Sequence, residues 1–116
     1  MVFHGISRFF STEGDRQYAT IGAFWEELSE VYGRSSLRGL GYRWTPRGIE
    51  YAIGLKEGMI PGGNCSVELP DDGWVTVRGR TSDLGRIYEG IYRDGPLKYE
   101  IEMFDDLGGC VVMYRR

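Results

Sequence analysis

Two carboxylates two positions apart are the residues best placed to do chemistry. Glu100 and Glu102 sit in Tyr99-Glu100-Ile101-Glu102-Met103, a stretch otherwise aromatic or apolar. A carboxylate inside an aromatic pocket pays a desolvation cost unless a cation or hydrogen-bond donors accompany it. Such a site would select a cationic ligand, with cation–π contacts adding about 0.5–2 kcal/mol each. If burial raised its pKa, such a carboxyl could instead do general acid–base work. Against both stands a plainer pattern. Lys98, Glu100 and Glu102 share one parity, as on a solvated strand face.

Other chemistries lack their residues. His4 is the single histidine, and Cys65 and Cys110 lie far apart, so no zinc tetrad and no C-x-x-C motif can form. The expectation is two small reduced thiols, no metal and no cofactor. Gly58-Met59-Ile60-Pro61-Gly62-Gly63 lacks the Lys-Ser/Thr ending of a phosphate loop, and no G-x-S-x-G elbow occurs.

Composition narrows the class. The 116 residues carry a net charge of −3, with 14 basic residues against 17 acidic ones. The basic residues are scattered, which argues against nucleic-acid binding. No apolar run approaches the ~20 residues of a membrane span, and no basic-then-apolar leader opens the chain. A cytoplasmic protein is expected. Sixteen aromatics (three Trp, eight Tyr, five Phe) and 18 glycines against 4 prolines suggest a turn-rich sheet protein that holds something.

The elements that would position the two acids follow from periodicity. Residues 2–10 alternate as a strand. Phe24, Trp25, Leu28, Val31 and Tyr32 mark one face of a helix from about Ala23, with Thr20 as N-cap and Gly33 as stop. Residues 40–44 and 49–55 read as strands around the Thr45-Pro46-Arg47-Gly48 turn. Residues 58–73 read as a connection. Then come a strand at 74–78, a helix with Leu84, Ile87, Tyr88, Ile91 and Tyr92 on one face, and strands at 99–103 and 110–114.

The two halves run in the same order. Ile21-Gly22-Ala23-Phe24-Trp25-Glu26-Glu27-Leu28 aligns without gaps on Leu84-Gly85-Arg86-Ile87-Tyr88-Glu89-Gly90-Ile91. The expected fold is therefore α+β: duplicated βαββ units forming an antiparallel sheet of six strands. Two helices lie on one face, over a central groove. The chain reads as one domain, 1–116, with repeats at about 1–57 and 73–116.

Trp25 and Tyr88 then face each other across the groove, although either also fits an ordinary core stripe. Tyr92, one turn beyond Tyr88, extends the same wall. Tyr42 and Trp44 share a parity on one inner strand. Trp74 would rim the groove or plug the core edge, and Tyr51 reads as core. Glu26 and Glu89 are expected on the surface, with Glu89 paired to Arg93.

At this point the chain resembles the GyrI-like small-molecule-binding family. That family includes the effector-binding domains of AraC- and MerR-type multidrug regulators and some stand-alone proteins. The resemblance rests on His4-Gly5-Ile6, Thr20 to Leu28, Leu40-Gly41-Tyr42, Glu50 to Leu55, Gly73-Trp74-Val75, Ile87 to Tyr92 and Tyr99-Glu100-Ile101-Glu102. It implies a hydrophobic or cationic aromatic ligand between the halves, with Glu100 at the family's buried-glutamate position and Glu102 in reserve. It also implies two alternatives: hydrolysis of strained-ring compounds, or a gyrase-inhibitor-like interaction module. A homodimer or a protein partner stays open. The family's acid before the last strand, and its closing Pro, are missing from Cys110-Val111-Val112-Met113-Tyr114-Arg115. No helix-turn-helix is expected here, because the first strand begins at residue 2.

Overall fold

A computed structural model describes all residues, 1–116. In chain order the elements are β1 (Val2–Ser11), α1 (Gln17–Tyr32), β2 (Leu37–Thr45), β3 (Gly48–Leu55), β4 (Cys65–Glu68), β5 (Val75–Arg80), α2 (Leu84–Arg93), β6 (Tyr99–Phe104) and β7 (Gly109–Arg115). Short 3-10 turns precede α1, β2 and α2. The class is α+β: one open antiparallel sheet of seven strands, ordered β4-β1-β3-β2-β6-β7-β5. Outward from the central β2–β6 pair the order is β3, β1 on one side and β7, β5 on the other, with β4 added outside β1.

The seventh strand corrects the sequence reading, which treated residues 58–73 as a connection. Cys65–Glu68 pairs with β1 in the register Val2↔Glu68 to Gly5↔Cys65. Asn64 extends that ladder with its side chain. Its Oδ1 accepts from the Ser7 amide at 2.7 Å, and its Nδ2 donates to the Ser7 carbonyl at 3.2 Å.

Alternation sorts the side chains onto two faces. On one face Phe3, Leu40, Ala52, Leu69 and Ile101 form a small buried cluster. The other face carries the larger core, with Phe10, Ile49, Tyr51, Ile53 and Phe104 under Phe24, Trp25 and Leu28 of α1. Each large apolar side chain buried this way contributes roughly 1.5–3 kcal/mol. A third cluster, Ile91, Leu97 and Val112, seats α2.

Two details of α1 differ from expectation. The helix begins at Gln17, and Thr20 lies in its first turn, where its hydroxyl donates to the Arg16 carbonyl at 3.1 Å. A 3-10 turn with Gly14 and Asp15 at positive φ starts the helix early. Val31 is 70% exposed, so the buried stripe consists of Phe24, Trp25 and Leu28. Gly33 does end the helix, at φ 81°, with its amide bonded to the Ser29 carbonyl.

Candidate functional site

The helices sit side by side on one sheet face and leave a cavity of about 890 Å³ between them. Its floor is the sheet: Ile49 and Tyr51 of β3, Trp44 of β2, and Glu100, Glu102 and Phe104 of β6. One wall is α1, with Ile21 and Trp25; the other is α2, with Leu84, Tyr88 and Tyr92. Tyr18, 70% exposed, and Tyr92, 39% exposed, flank the opening.

Glycines on β2 make the floor possible. Gly39 and Gly41 are buried in the middle of the sheet. A Cβ at Gly39 would land on the Tyr51 hydroxyl and lie 2.8 Å from Trp25 Cζ2. A Cβ at Gly41 would stand 3.1 Å from Glu100 Cγ and Oε1. The strand thus omits two side chains where its neighbours place a tyrosine and a glutamate.

Both carboxylates are buried, Glu100 at 8% and Glu102 at 7% exposure. The solvated-face pattern of β6 therefore does not describe them; that face looks into the cavity under the helices. Glu102 is held by three donors. Its Oε1 accepts from Trp25 Nε1 at 3.2 Å and from the Tyr51 hydroxyl, and its Oε2 accepts from the Tyr88 hydroxyl at 2.7 Å. Trp25 Nε1 also donates to the Tyr51 hydroxyl at 2.8 Å, which closes the network. Glu100 has one such partner: its Oε2 accepts from the Tyr92 hydroxyl at 2.7 Å. The Tyr88 and Tyr92 rings stack at 5.9 Å.

The three ion pairs of the protein, Met1–Asp71, Arg8–Glu27 and Arg115–Asp72, all lie elsewhere. Burial, then the neighbouring Glu102 charge, push the Glu100 carboxyl up to about 8, against the Tyr92 hydrogen bond that lowers it. Burial and the two carboxylates also raise the Tyr51, Tyr88 and Tyr92 hydroxyls well above their ordinary range. These phenols stay protonated and act as donors. Chemically, the cavity offers an apolar aromatic box, one carboxyl with three donors, and one with a single donor.

Of the residues singled out in the sequence, Trp25, Trp44, Tyr88, Tyr92, Glu100 and Glu102 line this cavity. Tyr42 and Trp74 lie on the opposite face. A bulge between Gly41 and Arg43 explains Tyr42: it breaks the alternation, so Trp44 turns to the cavity while Tyr42 stays opposite, its hydroxyl 2.7 Å from Ser7 Oγ. Trp74 packs on Tyr99 at 6.1 Å, and its indole donates to the Pro70 carbonyl at 2.8 Å. Glu26 and Glu89 are exposed at the cavity edge, and Glu89 makes no ion pair with Arg93. His4 lies outside the cavity, with Nδ1 2.9 Å from Ser66 Oγ.

Tyr51, read as core, is both core and floor. Its signal was the pair of glycines at 39 and 41: Gly41 is its register partner, and the Tyr51 hydroxyl fills the space a Gly39 side chain would take. Arg34 was also missed; it lies 4.2 Å from the Phe104 ring centroid and 5.6 Å from that of Trp25.

No group of three or more His, Cys, Asp or Glu side chains converges to hold a metal. No helix is long and apolar enough to cross a membrane. Comparison with protein-family models, with curated proteins and with solved structures finds no match.

Proposed function

We propose that the protein binds a small hydrophobic aromatic molecule carrying one positive charge, in the cavity between α1 and α2. The observation that carries this reading is the pair of buried carboxylates in an aromatic box with no ion-pair partner. Buried acids are ordinarily paired, and a ligand cation would supply the missing partner. The stacked Tyr88 and Tyr92 rings and the Trp25 and Trp44 indoles offer faces for an aromatic ring system. The biological role is sensing or sequestration in the cytoplasm, or control of transcription with a partner. The equal strand–helix–strand–strand order of the two halves supports a duplicated βαββ unit of the GyrI-like kind.

The test compares N-methylacridinium, a fixed cation, with acridine, its neutral analogue at pH about 8. Glu100→Gln should weaken the cation about thirtyfold or more, the scale for a lost desolvated charge pair, and change acridine by less than about threefold. Equal losses for the two ligands would remove charge selection.

A second reading, hydrolysis of a strained-ring electrophile, is favoured by the burial of Glu100 beside a second acid. A carboxyl pushed up to about 8 still holds its proton near neutrality and can act as a general acid. Product formation that disappears in Glu100→Gln would select it over simple binding. An interaction module of the gyrase-inhibitor kind draws less support, because the aromatic surface lines a concave cavity instead of forming a flat exposed patch.

A further inference from the structure

Glu100 and Glu102 face one cavity from alternate positions of β6, yet their hydrogen bonds are divided one to three. Glu102 has both oxygens committed to Trp25, Tyr51 and Tyr88, side chains from α1, β3 and α2. It ties the two walls to the floor. Glu100 is held through Oε2 alone, by Tyr92. Its Oε1 accepts no hydrogen bond and packs against the backbone of Gly41, 3.1 Å from where a Cβ would stand.

The charged and titratable groups around Glu100 do not offset its charge. From α2 come Tyr88 and Tyr92, with Glu89 at the edge. From α1 come Tyr18 and Glu26, and from β3 comes Tyr51. On β7, Tyr114 is its register partner, with Arg116 stacked on the Tyr114 ring at 5.2 Å and its guanidinium donating to the Ile91 and Gly95 carbonyls. Arg34 is the one cation in the lining, and it lies over the Phe104 and Trp25 rings. An acid so enclosed, next to a second acid, keeps its proton until a positive charge replaces it.

We propose that the site is a one-for-one exchanger: a ligand monocation enters as Glu100 gives up its proton, while Glu102 stays a fixed acceptor that holds the walls. The proposal rests on the cationic-ligand reading above and adds the exchange to it. The only bond that breaks is the Glu100 carboxyl O–H. Its proton passes to solvent water at the opening, where Tyr92 is exposed. The charge of the cavity is unchanged by the swap, so filling it creates no new unpaired buried charge. A neutral ligand displaces no proton.

The exchange is read from the pH dependence of N-methylacridinium binding to the intact protein. Only the ionised form of Glu100 is competent, and the carboxyl sits at about 8. Apparent affinity should rise about tenfold per pH unit from about 6 to near 8, then level off. Calorimetry at pH about 6.5 in two buffers of different ionisation enthalpy should show close to one proton released per ligand. Glu100→Gln should bind weakly and without slope. Glu102→Gln, if folded, should keep the slope but move its midpoint to lower pH, because the like charge is gone. The wild-type calorimetry needs no variant to fold. Binding without slope and without proton release would overturn the exchange and leave the cationic-ligand reading standing. No binding of the dye at any pH would overturn both.

Discussion

The protein should lose stability steadily as pH rises from about 5 to 9, and Glu100→Gln should abolish most of that loss. The Glu100 carboxyl moves from an ordinary 4.5 to about 8 on folding. Between those values the unfolded chain releases a proton that the folded chain keeps. A carboxyl raised in this way gives its full stabilising contribution below the unfolded pKa. That contribution is lost as pH climbs through the folded one. At about 1.4 kcal/mol per pKa unit, the loss by pH 9 is on the order of 3–5 kcal/mol. For a domain of this size that is a fall in Tm of about ten degrees or more. Thermal melts at pH about 5, 7 and 9 check it, with wild type and Glu100→Gln run side by side. A profile equally flat in both proteins would mean that Glu100 is solvated. A cationic ligand should oppose the trend, stabilising most above about pH 8, where the Glu100 carboxyl is ionised.

The second large effect comes from a residue with no side chain. Gly39→Ala should cost about 3 kcal/mol or more, combining overpacking with the loss of buried hydrogen bonds to a charged group. Its Cβ would collide with the Tyr51 hydroxyl and crowd Trp25, the two groups that hold Glu102 Oε1. Movement of either strips donors from a buried carboxylate. Denaturant melts should show the drop, and tryptophan emission should report a changed Trp25 environment. Gly90→Ala is the contrasting case: nothing lies within 4 Å of its Cβ on α2. It should stabilise by about 0.5–1 kcal/mol through helix propensity. Similar effects from both substitutions would remove the idea that the β2 glycines are spaces reserved for the floor.

What the sequence disclosed and what it hid both follow from how local each signal is. The strand at 49–55 and the stripe of Phe24, Trp25 and Leu28 were legible because alternation and 3.6-residue spacing are local patterns. β4 was not, since four residues between loops hold too little periodicity to stand apart from their surroundings. Glu100 and Glu102 do share a face of β6, with Lys98 outside the strand, but parity alone does not say whether a face meets water or a cavity roofed by helices. That depended on three hydroxyls and an indole brought in from α1, β3 and α2. The shared parity of Tyr42 and Trp44 misled because one extra residue at the β2 bulge reverses alternation beyond it. Trp74 was a fair candidate by type, yet the loop before β5 turns it to the far side of the sheet.

That division among the tryptophans gives the most direct test of where a ligand sits. Trp25 and Trp44 line the cavity, and Trp74 lies on the other face. Each indole N–H gives its own cross-peak in a proton–nitrogen NMR spectrum. Titration with N-methylacridinium at pH about 8 should move the Trp25 and Trp44 peaks together and leave Trp74 in place. Shifts confined to Trp74, or three unmoved peaks at saturating dye, would contradict a binding site between the two helices.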